Sequence, residues 1–169
     1  MIGYVNMGNI EERVDADFAR ARRRAFVRRA KARLRSDPPS SASMPSFEGV
    51  RQSLGALGGA LPGVRVVRVE QIVGSVGRSS QFDGGFMPAK GSVEGRWKRV
   101  DRAFHRGTEL PPVVLYEIGG SYFVLDGNHR VSVARYHDVE MIDAEITVFR
   151  TNSAKNSAPY GCSEDWQKP

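Results

Sequence analysis

The chain has 169 residues, 40% of them hydrophobic, with 18 Gly, 9 Pro and a net charge of +6. That length suits one domain with extensions, and no apolar run approaches the ~20 residues that span a bilayer. The start is no signal peptide, and the single cysteine, Cys162, excludes an intrachain disulfide, so a cytoplasmic location is expected. Cys162 stands alone in a polar tail, a weak setting for a nucleophile.

The basic character is local. Between Asn9 and Arg35 ten Lys/Arg face four acidic residues, which accounts for the whole net charge of +6. This segment reads as a helix, acidic at its start and basic at its end as the helix dipole favours. Ile10, Val14, Phe18, Ala21 and Ala25 form a thin apolar stripe at helical spacing, with Phe26 and Leu34 beside it. Three roles fit such a face. It packs lightly on the domain, it forms a homodimer, or it lies on DNA, another polyanion or a membrane surface, with Arg22, Arg23, Arg24, Arg28 and Arg29 bound to phosphates.

Residues 36–63 read as a linker, opened by SDPPSSASMPS and interrupted by a short helix near Phe47–Leu57. The compact domain is expected over 64–150, with a polar tail over 151–169. Within it, VRVVRV (Val64–Val69) is a strand by β-branched content, and a long Gly/Ser-rich loop runs on from Ile72. Val93, Trp97, Val100 and Phe104 lie at helical spacing and read as the core face of a helix ending near Gly107. PPVVLYEI and SYFVL are strands joined by Gly119-Gly120, a hairpin link in which both positions accept positive φ. A helix from His129 to Tyr136 and a strand from Met141 to Phe149 complete the pattern. The expected class is α/β (α+β), a small mixed sheet with packed helices.

The turn between the second hairpin strand and the next helix reads Asp126-Gly127-Asn128-His129-Arg130. A helix start carries unpaired N–H groups and the positive end of the dipole, which together suit an anion. Gly127 permits close approach, Arg130 offers a guanidinium fork, His129 adds a donor or proton-transfer group, and Asn128 or Asp126 would cap the helix. An ordinary strand-to-helix turn accounts for the same residues. His105 and His137 read as surface histidines at helix ends, and three scattered His with one Cys suggest no metal site.

The stretch LPPVVLYEIGGSYFVLDGNHRVSVARYHDVEMIDAEITVF resembles the ParB/sulfiredoxin-fold superfamily. The matching positions are Leu110, Pro112 and Val113, then Gly127, His129 and Arg130, then Ala134. The likeness covers roughly Val64 to Phe149. It implies a nucleoside triphosphate, CTP or ATP, with Mg2+, its phosphates held by Gly127, Asn128, His129 and Arg130. It also turns the segment after the first strand, with Gly74, Ser75, Gly77 and Arg78, toward the nucleotide. In the enzyme version, a free-serine-type kinase or nucleotidase, Asp126 positions a hydroxyl or a metal, with Asp83 and Asp101 as lesser candidates. Sulfiredoxins carry Cys where this chain has Asn128, so the resemblance does not extend to sulfinic-acid reduction. Partition ParB proteins carry a Gly-Glu-Arg-Arg box and a helix-turn-helix domain downstream; Asn128 and His129 depart from the box. A nuclease, as in "ParB-like nuclease" proteins, ranks last because no distinct metal-carboxylate cluster is legible.

Overall fold

The computed structural model describes residues 7–35 and 44–151. Most of the proline-rich linker and nearly all of the polar tail, with Cys162, lie outside the described residues. Among the described residues four α-helices and five strands succeed one another as α1 (Met7–Leu34), α2 (Phe47–Leu54), β1 (Leu57–Arg68), β2 (Ile72–Ser75), α3 (Glu94–His105), β3 (Val113–Ile118), β4 (Ser121–Asp126), α4 (Asn128–Tyr136) and β5 (Met141–Arg150). The sheet order is β1-β5-β3-β4-β2. It is mixed: β1 with β5 and β3 with β4 are antiparallel, β3 with β5 and β2 with β4 parallel. The class is α/β, as expected.

Each face of the sheet has its own apolar layer. On one, Val113, Leu115, Val124, Ala144 and Ile146 meet Trp97 of α3, Val131 and Ala134 of α4, and Phe18, Ala21 and Ala25 of α1. On the other, Phe47 of α2 packs with Ala56, Ile118 and Phe123. Burying a large apolar side chain contributes about 1.5–3 kcal/mol, so the thin stripe of α1 is a real part of the core. Phe18 lies 5.5 Å from Trp97, whose indole N–H donates to the buried Ser132 hydroxyl at 2.9 Å. The stripe's neighbours Phe26 and Leu34 stay exposed.

The acidic residues of α1 do not sit in its first turn, because the helix already begins at Met7. They face α3 instead: Glu11 accepts both N–H arms of Arg102 at 2.5 Å, and Asp15 pairs with Lys98 at 2.9 Å. These pairs are largely exposed and set register more than stability.

Two stretches depart from the sequence expectation. β1 starts seven residues before Val64 and runs through the Gly58-Gly59 and Pro62 region read as linker. It is an edge strand with register shifts between Leu57 and Ala60 and between Ala60 and Gly63, where glycine and proline are tolerated. The supposed long loop opens with β2, whose four residues are too few to show an alternation. The segment after β2 is packed, with Phe82, Phe86 and Met87 buried around Asp83. The Asp83 carboxylate accepts from the backbone N–H of Gly85 and Met87 and from Arg28, each at 2.9 Å.

Candidate functional site

The parallel pairing of β2 with β4 sends both strands toward the same edge of the sheet. The chain leaving β2 toward Arg78 and the turn leaving β4 toward α4 therefore emerge side by side. Ser75 fixes the first of these: its buried hydroxyl donates to the Val124 carbonyl and accepts from the Arg78 N–H. Ser75 thus shapes the Arg78 loop from behind, and Gly77 lies exposed on that loop rather than lining the cleft.

Gly127 is the N-cap of α4, with φ 101° and ψ 19°. A Cβ there would come 2.7 Å from Val113 Cγ1, so both backbone and space call for glycine. Neither Asn128 nor Asp126 caps the helix, contrary to expectation, since no side-chain cap bond reaches its first N–H groups. Asn128 is instead the first helical residue, and its buried Oδ1 has no hydrogen-bond partner among the described residues. His129 is half-buried against the edge of Phe82, and its Nε2 likewise has none.

Above this helix start opens a cleft of ≈ 250 Å3. Asp126, Gly127, Asn128, His129 and Arg130 line its floor, and Arg78, Arg96 and Arg99 its walls. Four arginines therefore face a single carboxylate. Burial, and after it the charges of Arg78 and Arg96, lowers the His129 pKa from 6.5 to about 4, so the ring adds no charge at neutral pH. A larger groove of ≈ 570 Å3 elsewhere mixes Arg28, Arg68 and Arg135 with Glu70, Asp138 and Glu140 and has no comparable excess.

The arginines differ in their freedom. Arg130 donates through Nη1 to the carbonyls of Pro111 and Pro112 and through Nη2 to Asp126 at 2.6 Å. It braces the turn against the segment before β3 and helps shape the cleft floor. Arg78, Arg96 and Arg99 are exposed, and among the described residues the one side-chain bond they make, Arg78 to Gln81, is 3.3 Å long. Arg96 and Arg99 are the functional candidates that sequence reasoning missed. Their signal was a pair of arginines at i, i+3 flanking the apolar stripe of α3.

The other candidates lie apart. Asp83 organises its own loop, and Asp101 is buried among histidines, so neither lines the cleft. On α1, Arg24 donates to the Tyr136 carbonyl, Arg28 pairs with Asp83 and Arg29 donates to the Ala89 carbonyl, while Arg22 and Arg23 are exposed. Trp97 is core, as expected, but Phe104 is 41% exposed and stacks on His137 at 4.1 Å. His105 and His137 are not separate surface residues, because both meet Asp101.

No family model and no curated protein matches the chain. Among solved structures, a sulfiredoxin from Arabidopsis thaliana superposes on it with 18% identity and a TM-score of 0.38, covering 54% of this chain and 88% of that one. Among the described residues, no helix is long and apolar enough to cross a membrane.

Proposed function

We propose that the chain binds a nucleoside triphosphate, CTP or ATP, with the phosphates seated over the start of α4. The observation that carries this is the convergence of four arginines and one carboxylate on an uncapped helix N-terminus. Unpaired N–H groups, the helix dipole and guanidinium donors all favour the same ligand, a multiply charged phosphate. His129 Nε2, buried without a partner among the described residues, adds a further polar atom at the cleft floor. A space of ≈ 250 Å3 suits the phosphate chain, with the base lying beyond it.

Mg2+ is expected to arrive with the nucleotide, where it neutralises phosphate charge. It keeps mostly water and phosphate ligands and needs only one or two carboxylates. Asp126, the one carboxylate on the cleft and 75% exposed, is the residue that would hold it. The same exposure is what favours a second reading, in which Asp126 takes the proton from a hydroxyl that accepts a phosphoryl group, as in a small-molecule kinase or a nucleotidase.

A contact with DNA through α1 belongs to the proposal as well, reduced to Arg22, Arg23 and their exposed neighbours. Arg24, Arg28 and Arg29 already bond to the chain itself. Salt titration of duplex binding should therefore give a shallow slope, near two phosphates' worth of counterions.

Calorimetric titration with CTP, ATP and GTP, with and without Mg2+, tests the shared premise. Saturable binding weakened by Arg78→Ala supports it, and no heat from any nucleotide refutes it. Phosphate release that disappears in Asp126→Asn would assign the enzyme reading.

A further inference from the structure

The far end of α4 carries a second cluster, unrelated to the phosphate cleft. Asp17 of α1, Asp101 and His105 of α3 and His137 at the C-cap of α4 each offer one ligand atom, all within 4.8 Å of one another. We propose that these four residues bind one Zn2+ ion in a closed, four-coordinate site that ties α1 to the ends of α3 and α4.

The donor set is two imidazole Nε2 atoms and two carboxylate oxygens, a borderline set that suits Zn2+. His105 Nε2 lies 2.9 Å from Asp17 Oδ2 and 3.6 Å from Asp101 Oδ2, and His137 Nε2 lies 2.7 Å from Asp101 Oδ1. Ligands about 2.0–2.1 Å from a tetrahedral ion are separated from one another by roughly 3.3 Å. Taken one from each residue, the ligand atoms lie within 4.8 Å of one another, so side-chain shifts would close the set around an ion.

Burial points the same way. Asp101 is fully buried, and its Oδ2 has no hydrogen-bond partner among the described residues, while Asp17 is only 7% exposed. Two buried carboxylates meet there, and among the described residues the one guanidinium in reach is the exposed Arg20, 3.4 Å from Asp17 Oδ1, so a divalent cation between them is favoured. The backbone favours a cation too. His105 is the last residue of α3 and His137 directly succeeds α4, so the negative ends of two helix dipoles meet there.

The surroundings fit a ligand shell. The Tyr136 hydroxyl donates to Asp17 Oδ1 at 2.7 Å, which leaves Oδ2 turned toward His105. Phe104 stacks on the His137 ring and fixes its plane. A groove of ≈ 580 Å3 reaches Asp17, His105 and His137 from solvent and gives an entry path. Four protein ligands leave no open position for substrate, so the ion's role is structural.

The competing account is a metal-free network of imidazolium–carboxylate pairs. Untagged full chain, stripped with chelator and titrated with Co2+, separates the two. A closed N2O2 site gives visible d–d bands that saturate at one equivalent and vanish on adding one equivalent of Zn2+. His137→Gln and Asp101→Asn should each weaken binding by more than about 100-fold, and Tyr136→Phe, which removes only an outer partner, by roughly tenfold. Circular dichroism checks that the variants fold. Should they not, the wild-type imidazole 15N shifts still decide, because Zn2+ moves both Nε2 signals only if both are ligands. No saturable Co2+ spectrum, or bands that persist in both His137→Gln and Asp101→Asn, would overturn the proposal.

Discussion

The two ends of α4 are built on opposite electrostatic plans. At its start, an uncapped N-terminus faces four arginines, three of them exposed, in an open cleft. At its end, His137 joins buried aspartates in a cluster bonded through Asp17, Asp101, His105 and Tyr136, with Asp101 Oδ2 left without a partner among the described residues. The helix dipole favours anions at the first and cations at the second. What separates them is where the charge sits: carboxylates and imidazoles face one another in a buried cluster at one end, and guanidiniums face solvent at the other. Asp17 and Asp101 meet histidines from the neighbouring helix ends, so their role includes holding three helices together. Among the described residues, Arg96 and Arg99 have no carboxylate partner, and the cleft's Asp126 pairs with Arg130. Cationic charge gathered on an accessible concave surface marks an anion site.

Substitutions can break this contrast. The largest effect is expected at the buried end: Asp101→Ala strands two imidazoles and should cost about 3–5 kcal/mol in urea unfolding. Gly127→Ala is next, since a positive φ alone costs a non-glycine residue about 1–3 kcal/mol before the contact with Val113 is counted. It should both destabilise the fold and close the phosphate floor, which melting curves with and without nucleotide will separate. Arg96→Ala and Arg99→Ala should leave stability within about 0.5 kcal/mol, as exposed substitutions do. Each should nonetheless weaken triphosphate binding roughly tenfold, the scale of one charged hydrogen bond.

A pH-dependent effect concerns His129. Its pKa of about 4 in the fold lies below its ordinary 6.5, so the unfolded chain takes up the proton first as pH falls. The stability from keeping the ring neutral is therefore full above pH 6.5 and lost progressively toward pH 4. Replacing His129 with Gln should flatten the stability profile in that window. A bound phosphate should move the NMR titration midpoint of the ring upward, because negative charge favours imidazolium.

Much of the fold was legible locally. The Gly119-Gly120 link, with φ of 57° and 78°, makes the β3–β4 hairpin as the dipeptide implied, and α4 and β5 lie within a residue of their expected bounds. The edge strand β1 and the short β2 were hidden because pairing, not composition, creates them. The turn at Gly127 was legible because its residues are contiguous. Arg96 and Arg99 were not, since only the docking of α3 beside the turn brings them to it. The aspartate–histidine cluster joins residues from three separate helices, yet the sequence held a sign of it. Asp17 and Asp101 sit on the same helical stripes as Val14 and Trp97, and a carboxylate on a buried stripe needs a partner.

The central claim is that the exposed arginines at the start of α4 hold a polyphosphate. Calorimetric titration of the wild-type chain and of the Arg96→Ala, Arg99→Ala double variant with CTP and ATP in the presence of Mg2+ tests it most directly. The account predicts saturable binding of at least one nucleotide and a loss of roughly a hundredfold in the double variant, with an unchanged melting temperature without ligand. Binding of equal strength in both proteins, or none in the wild type, would contradict it.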